Sequence, residues 1–280
     1  MKQYRYELRK GSKHDECPNC KKTTFKPYID KKTNKEAGNI YGVCERINQC
    51  GYSNYPKANK KDNYEPPIKP YIPPLPIEYI PKELVEKTFH DFKSNVFFQY
   101  LVKTFGGEKV MELQAKYNIG TAKHGGTIFW QQDTLGRFRT GKVMYYQENG
   151  KRDKARHSWF AHSKIKHDFN FRQCLFGLHL VSKDKPVALC ESEKTAVLMS
   201  VYMPEYTWIA SGGSEMLNIQ RLNELPRIDK VFADGGQFEK WEMKTRGFAG
   251  RQMDVSVDKA IREGKLPEGS DILDLILLIK

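Results

Sequence analysis

Apolar positions along the middle of the chain predict two helices followed by antiparallel strands. From Pro81 to Leu101 apolar residues recur every three or four positions, which is the period of a helix that buries one face. A second helix is predicted from about Glu108 to Tyr117. The strand-like runs after it meet turn signals at 133–136 and 148–151. Residues 82–180 are therefore expected to form an α+β region with two hairpins.

The rhythm changes in the last hundred residues, where short apolar runs alternate with helix-like stretches. Strands are predicted at 187–190, 207–210, 230–233 and 252–257, and helices at about 192–202, 214–224, 237–247 and 271–279. Such alternation implies a mostly parallel sheet with helices on both faces. We therefore expect residues 181–280 to form an α/β domain.

Two of these apolar runs end on an acidic residue. Glu191 follows the run VALC, and Asp234 follows the run VFA. In an open α/β sheet, the carboxyl ends of the parallel strands face the crevice in which ligands bind. Glu191 and Asp234, joined by Asp271 and Asp274, are candidate ligands of one divalent cation.

A loop after the second predicted strand adds a weaker signal. The residues Ala210 to Ser214 include two consecutive glycines and precede a predicted helix. Backbone N–H groups at such a helix start can bind a phosphate. A glycine pair can equally serve only to make a tight turn.

Four of the six cysteines are spaced as in a zinc ribbon. Cys17 and Cys20 form CPNC, and Cys44 and Cys50 follow after 23 intervening residues, with strand-like stretches and a polar turn between the two pairs. Zinc binds four thiolates in a tetrahedron, and in so small a module it would supply most of the folding energy. The alternative, two disulfides, fits badly with the absence of an export signal. The other two cysteines lie in apolar stretches and are expected to be buried and inert.

A proline-rich segment separates the cysteine-containing region from the rest of the chain. Eight of the fourteen prolines fall at 56–81, a density that predicts an extended, semi-rigid linker; docking to a partner's aromatic groove is the alternative.

The first ten residues are polar and basic, unlike a secretory signal, and the apolar run 272–279 is too short to span a bilayer. We expect a soluble, cytoplasmic protein without a membrane partner.

The formal charge of +13 is concentrated before residue 181, since the last hundred residues carry 14 Lys and Arg against 16 Asp and Glu. A basic surface with interleaved aromatic residues suits a nucleic acid backbone. The alternative is a solvated sheet face whose aromatic residues belong to an ordinary core. The candidate binding residues are Arg137, Arg139, Lys142 and Lys154, near Trp130, Tyr145, Tyr146 and Trp159.

The segments around the acidic residues resemble signatures of the toprim fold. ESEKTA from Glu191 is similar to the first toprim signature, FADGG at 232–236 to the Asp-x-Asp strand end, and GSDILDL at 269–275 to the aspartate-rich segment of toprim primases. Pieces between 117 and 178 are placed as in the polymerase domain of bacterial replicative primases, which a zinc ribbon also precedes. Over nearly its whole length the chain resembles a toprim primase-like protein of the mobile-element or phage type.

The resemblance implies the following order of domains: a zinc ribbon at 1–55, the linker at 56–81, a basic α+β subdomain at 82–180 and a toprim-like α/β subdomain at 181–280. It also implies synthesis of primers on single-stranded DNA from nucleotides, with a helicase or other replication protein as partner. Glu191 would act as general acid or base or as a metal-linked group, and Asp234 would hold Mg²⁺ or Mn²⁺. Asp271 and Asp274 would assist, and Lys194 would reach a phosphate.

The chain departs from the toprim pattern at two positions. Gly236 stands where the second aspartate is expected, and Ser192 stands where glycine is usual. Loss of a carboxylate weakens the hold on a hard cation, for which Glu239 or Asp271 would have to compensate. The alternative function is therefore a non-catalytic protein that binds single-stranded nucleic acid with a degenerate metal site.

Overall fold

The computed structural model describes residues 4–46, 50–56, 76–165 and 168–279. The chain forms two units, residues 1–73 and residues 74–280. The predicted proline-rich linker, 56–81, lies mostly outside the described residues, because 57–75 are not among them.

Short antiparallel strands build the first unit. They are β1 Tyr6–Leu8, β2 Asp15–Glu16, β3 Thr23–Asp30, β4 Lys35–Glu36, β5 Gly42–Cys44 and β6 Ser53–Asn54. The long strand β3 pairs with β1, β2, β4 and β5. The predicted hairpin is thus present, but its second strand begins at Gly42 and its polar turn carries β4. Gly42 has no room for a side chain, since a Cβ there would lie 2.3 Å from the Lys26 carbonyl oxygen.

The buried apolar cluster of this unit is small. Among its described residues the cluster consists of Phe25, Cys17 and Cys44, with Cys20, Cys50 and Tyr52 packed against it. So few apolar side chains contribute little hydrophobic free energy. The unit therefore needs a cross-link between its cysteines to be stable.

The second unit begins with helices α1 Lys82–Glu86, α2 Val96–Phe105 and α3 Gly107–Tyr117. An antiparallel sheet follows, in the spatial order β10-β9-β8-β7, with strands β7 Ile119–Ala122, β8 Gly126–Gln132, β9 Phe138–Met144 and β10 Trp159–Phe160. The hairpin predicted around the 133–136 turn is confirmed, because β8 and β9 are paired antiparallel across it.

The helix predicted from Pro81 to Leu101 is broken in the structure. α1 ends at Glu86, and Asp91 adopts a left-handed backbone with φ of 50°. Asn95 then starts α2, since its side chain accepts a hydrogen bond from the Phe98 N–H. The apolar period continues across the break because the residues between the helices also pack inward, and the period alone hides the cap at Asn95.

The α/β part comprises β11 Val187–Cys190, α4 Glu193–Tyr202, β12 Thr207–Ala210, α5 Ile219–Leu222, β13 Lys230–Val231, α6 Phe238–Thr245, β14 Gln252–Met253, α7 Ser256–Arg262 and α8 Ile272–Ile279. Its strands are all parallel, in the order β12-β11-β13-β14. The predicted parallel sheet is therefore confirmed, with β11 and β13 as its inner strands.

Three predicted elements in this part differ from the structure. The strand predicted at 252–257 ends at Met253, because the Asp254 carboxylate accepts from the Ser256 N–H and opens α7. The strand predicted at 230–233 is β13, which ends at Val231. The helix predicted at 214–224 divides into a short 3₁₀ turn and α5, which the Asn218 side chain caps. At Asp254 and at Asn218 a polar side chain accepts a backbone N–H and so starts a new helix, which the apolar pattern does not indicate.

The antiparallel and parallel sheets share one hydrophobic core. Phe97 and Phe129 belong to the same buried cluster as Ala188 and Trp208. Tyr117 joins the two sides, because its hydroxyl donates to the Trp208 carbonyl oxygen at 3.2 Å. Over the described parts of the chain, every helix is too short or too polar to cross a membrane.

Asn95→Ala should lower the free energy of unfolding of the second unit by about 2–3 kcal/mol. Asn95 is fully buried, caps α2, and bonds the Thr127 and Thr121 hydroxyls, so truncation leaves several polar groups unpaired. Urea unfolding followed by tryptophan fluorescence measures this unit, since all four tryptophans lie after residue 73. The exposed Asn223→Ala serves as control and should change the value by under about 0.5 kcal/mol; equal effects would contradict the prediction.

Candidate functional site

The structure brings the four predicted cysteines together in the first unit. The sulfur atoms of Cys17, Cys20, Cys44 and Cys50 all lie within 4.8 Å of one another, and none is in a disulfide. The Cys17 and Cys50 sulfurs are 3.7 Å apart, and those of Cys20 and Cys44 are 4.0 Å apart. Thiolates around a tetrahedral zinc ion are separated by about 3.8 Å, given Zn–S bonds of about 2.3 Å. The four residues thus fit a structural Zn²⁺.

Local backbone geometry prepares these thiols for a metal. The N–H of Lys21 donates to the Cys17 carbonyl oxygen, and Lys21 has a left-handed φ of 58°, so the segment from Cys17 to Lys21, which holds the first two cysteines, forms a tight turn. The backbone N–H of Lys22 lowers the pKa of Cys20 to about 6. A thiol that ionises readily is a better metal ligand.

The predicted acidic residues meet at the C-terminal edge of the parallel sheet. Glu191 follows β11, Asp234 follows β13, and Asp271 immediately precedes α8. Burial raises the pKa of Asp234 to about 8, and the negative charges of Glu191 and Asp271 add to the rise. Burial also raises the pKa of Glu191, to which Asp271 contributes. The three carboxyl groups are therefore close enough to repel one another when ionised.

Asp271 and Asp274 form a reciprocal helix cap. The Asp274 N–H donates to the Asp271 carboxylate, and the Asp271 N–H donates to the Asp274 carboxylate, each at 3.0 Å. The other oxygen of Asp271 accepts from the Thr195 hydroxyl on α4 at 2.5 Å. Asp271 is thus fixed by both α4 and α8, whereas Asp274 acts mainly to start α8.

The acidic edge suits a cation that retains part of its water. Among the residues that the structure describes, no three carboxylates have oxygens within 4.8 Å of one another, and only the cysteine cluster meets that distance. Mg²⁺ is commonly held by one or two carboxylates together with waters and substrate phosphates. A cation at this edge would therefore be held by one or two of the carboxylates of Glu191, Asp234 and Asp271, together with waters and a phosphate.

A cavity of about 270 Å³ lies beside this edge. Glu191, Glu193 and Asp271 line it together with the cationic residues Lys142, Lys194 and Arg152. Its other lining residues are Met144, Tyr146, Ser192, Gly212 and Gly213. Acidic and basic groups in one small cavity can hold a cation and the phosphate that accompanies it.

The loop after β12 is tied down around this cavity. Lys142 donates to the Gly212 carbonyl oxygen at 2.6 Å, and the buried Arg221 donates to the Ser211 carbonyl oxygen at 3.0 Å. The Gly212 N–H donates to the Glu191 carbonyl oxygen, and the backbone N–H of Ser214 lowers the pKa of the Glu191 carboxyl against the effect of burial. The loop noted in the sequence therefore shapes the surroundings of Glu191.

The predicted basic residues occupy several different places. Arg139 is 6% exposed, and its guanidinium bonds Asp133 and Glu224. Arg137 also bonds Asp133 but stays partly exposed, over the ring of Tyr79 at 4.3 Å. Asp133 is 2% exposed, so Arg139 mainly neutralises a buried charge.

Lys194 and Lys154 differ in position as well. Lys194 lines the cavity and reaches the Gly150 carbonyl oxygen at 3.4 Å. Lys154 is exposed in the turn region after β9. Nearby, the Arg156 guanidinium stacks 3.4 Å from the Tyr145 ring centre, and Lys164 lies 5.8 Å from that of Trp159. Cations thus lie next to the partly exposed rings of Tyr145 and Trp159, whereas Trp130 and Tyr146 are buried.

The sequence did not single out Glu193 as a site residue. An acidic residue in a first helical turn is common, so Glu193 carries no signal of its own. Gly236 does not line the cavity of Glu191 among the described residues. Its N–H donates to the Asp258 carboxylate at 3.0 Å, and both residues line another cavity with Glu239.

Two family models match parts of the chain. The model of a zinc beta-ribbon finger matches residues 4–65, which agrees with the four-cysteine cluster and supports a structural Zn²⁺. Residues 95–233 match a domain of unknown function, DUF6371. Among curated proteins, none matches this sequence.

Several solved structures that resemble the chain are DNA primases. The primase fragment of the bacteriophage T7 primase-helicase has a TM-score of 0.40 and 13% identity, covering 96% of this chain and 99% of that one. The DnaG primase catalytic domain bound to single-stranded DNA has a TM-score of 0.41 and 16% identity, and the match covers 65% of this chain and 73% of that one. The zinc-binding and RNA polymerase domains of the Aquifex aeolicus primase have a TM-score of 0.36 and 13% identity, and the match covers 98% of this chain and 80% of that one. These TM-scores lie below 0.5 and carry no argument about the function of this chain.

We expect one zinc ion per chain, lost on Cys17→Ser, because three thiolates hold zinc far less tightly than four. Elemental analysis of the purified protein measures the metal content. Cys174→Ala is the matched control, since this buried thiol lies in the second unit and its removal should leave the zinc in place. A zinc content near zero in the unmodified chain would contradict the assignment.

Stability should depend on pH through Asp234. Its folded pKa of about 8 exceeds the ordinary value of 3.8, so from about pH 4 to pH 8 the folded chain keeps a proton that the unfolded chain loses. The free energy of unfolding should therefore fall as pH rises through this window. Asp234→Asn should remove this fall and stabilise the second unit at pH 8 by about 2 kcal/mol, less than the full shift implies because the carboxyl is partly exposed.

Urea unfolding at pH 5, 6.5 and 8, followed by tryptophan fluorescence, measures this dependence. The exposed Asp184→Asn is the control and should keep the slope of the unmodified chain. Added Mg²⁺ should restore stability at pH 8 only where Asp234 is present, because a bound cation replaces the proton. Equal slopes in Asp234→Asn and the unmodified chain would refute the assignment.

Proposed function

We propose that this chain is a primase-like protein that acts on single-stranded DNA and transfers nucleotidyl groups with the help of a divalent cation. The observation that carries the proposal is the convergence of Glu191, Asp234 and Asp271 with Lys142 and Lys194 at one edge of a parallel sheet. The toprim-like sequence around these acids supports it, since the same segments supply the converging groups.

Phosphoryl transfer requires positioning and neutralisation of charge more than covalent participation by the protein. Mg²⁺ or Mn²⁺, when bound, would neutralise phosphate charge and orient the triphosphate. Asp234 and Asp271 would hold this ion, and Asp271 is already oriented by Thr195 and by the α8 cap. Asp274 contributes by keeping Asp271 in place.

Glu191 is the best-placed proton acceptor. Burial raises the pKa of its carboxyl above the ordinary value, which makes it a stronger base for an attacking hydroxyl than a solvated glutamate. Lys142, Lys194 and Arg152 line the same cavity. Their cationic groups would bind phosphate oxygens while Glu191 holds the proton.

A nucleic acid surface on the antiparallel sheet belongs to the proposal. Arg137 with Tyr79, Arg156 with Tyr145, and the exposed Lys154 provide charges for phosphates and rings for bases. The zinc ribbon would hold the template. Replication of a mobile element or phage, with a helicase or other replication protein as partner, is the proposed setting.

One observation favours a second function. Gly236 supplies no carboxylate, and its N–H faces Asp258 rather than the cavity of Glu191. A cation held by fewer carboxylates binds more weakly. The alternative is therefore a non-catalytic protein that binds single-stranded nucleic acid and keeps the fold with a weakened metal site.

The two functions differ in whether the protein makes a product. Incubation with single-stranded DNA, labelled nucleotides and Mg²⁺ or Mn²⁺ should yield short primers. Glu191→Gln should reduce the rate by a hundredfold or more, roughly, since it removes the base while keeping the shape of the side chain. The exposed Glu112→Gln, on α3, is the matched control and should retain the rate.

The outcome of this assay separates the alternatives when DNA binding is measured in parallel. No product with either metal, together with single-strand binding that weakens steeply as salt rises, would favour the non-catalytic function. No product and a salt-independent affinity would contradict both. Equal rates in Glu191→Gln and the unmodified chain would remove Glu191 from the reaction.

A further inference from the structure

Glu193 and Lys142 form a buried ion pair that lines the cavity, and Glu193 has no role in the proposed reaction. The Glu193 side chain is 2% exposed, and one of its carboxylate oxygens, Oε2, lies 3.1 Å from Lys142 Nζ. The other oxygen, Oε1, is buried and has no hydrogen-bond partner in the described structure. A buried charged oxygen without a partner is costly, so a purely structural origin explains Glu193 poorly.

Lys142 is held at two points and keeps one donor. Its ammonium group has three N–H donors; one goes to Glu193 Oε2 at 3.1 Å and one to the Gly212 carbonyl oxygen at 2.6 Å. Lys142 also lines the cavity. Among the described residues the third N–H has no acceptor, so it is available to a ligand there, and the first two bonds fix its direction.

Glycine at position 212 is part of the same arrangement. A Cβ on Gly212 would lie 2.9 Å from Glu193 Oε1 and 3.9 Å from Lys142 Nζ, and the residue has a left-handed φ of 83°. The loop can therefore approach the ion pair only because position 212 lacks a side chain. Its N–H in turn bonds the carbonyl oxygen of Glu191.

We propose that Glu193 is a positioning residue that orients Lys142 toward a phosphate ligand in this cavity. The inference rests on the proposed function for the kind of ligand, a polyphosphate such as that of a nucleoside triphosphate. Glu193 acts on the ligand through Lys142, and through Gly212 it also steadies the loop beside Glu191. The group that binds phosphate is Lys142, and the charge of Glu193 by itself opposes the anion.

The negative charge of Glu193 repels an anion, so the two possible roles of Glu193 predict opposite changes in anion affinity when it is replaced. If Glu193 acted only through its charge, removing that charge would tighten the binding of an anion. If it orients Lys142, removing the hydrogen-bond acceptor weakens binding instead. Glu193→Met removes both charge and acceptor, whereas Glu193→Gln removes the charge and keeps an acceptor. Removing one member of a buried ion pair destabilises a protein because the other charge is left unpaired. Circular dichroism therefore checks that each variant is folded, and Glu193→Gln, which keeps an acceptor for Lys142, is the less disruptive of the two.

Isothermal titration calorimetry of the full chain with tripolyphosphate in the presence of Mg²⁺ measures the affinity for a polyphosphate ligand. We expect Glu193→Met to weaken binding about tenfold, the loss of one well-directed charged hydrogen bond, and Glu193→Gln to fall between it and the unmodified chain. The exposed Glu205→Gln is the control and should bind normally. Tighter or unchanged binding in Glu193→Met would overturn the inference, as would an unmodified chain that binds no tripolyphosphate.

A second measurement follows the ion pair directly and needs no ligand. Competitive acetylation with detection by mass spectrometry gives the reactivity of Lys142, with exposed Lys151 as internal reference. Loss of its partner in Glu193→Met should raise the labelling of Lys142 by about fivefold; an unchanged ratio would overturn the inference. Weakened tripolyphosphate binding and increased labelling in a chain that makes no primers would support this inference while contradicting the proposed function.

Discussion

Repulsion between carboxylates at one sheet edge is the constraint on which the rest of the second unit depends. Parallel strands bring Glu191 and Asp234 to the same edge, and α8 adds Asp271 there. Burial raises the pKa of Asp234 to about 8, with the neighbouring negative charges adding to the rise. The fold can hold this edge only because a rigid scaffold surrounds it and because cations or protons offset the charge.

The scaffold is rigid because two sheets share one core. Tyr117 bonds the backbone of β12 and stacks on Phe176, and Asn95 fastens α2 to the antiparallel sheet. These contacts place β9 next to the acidic edge, so Lys142 can cross from one sheet to the loop of the other. The basic residue that balances the acids thus comes from a strand distant in sequence.

The two units are stabilised by different interactions. The second has a large apolar core, whereas the described cluster of the first contains little besides Phe25 and cysteines. Four thiols at tetrahedral separations replace hydrophobic burial there, because a bound zinc ion contributes folding free energy directly. The sequence spacing anticipated this arrangement, since ligand spacing is a local property of the chain.

By itself, the sequence determined the zinc ligands, the parallel sheet and the acids that follow its strands, because each depends on local order or on period. Only the tertiary structure decided the break before α2, where a side-chain cap overrides an unbroken apolar period. It alone turned Arg139 inward to Asp133 and paired Glu193 with Lys142, 51 residues away. Such pairings depend on which strands become neighbours in the folded chain, and this cannot be read from residue type or from spacing along the sequence.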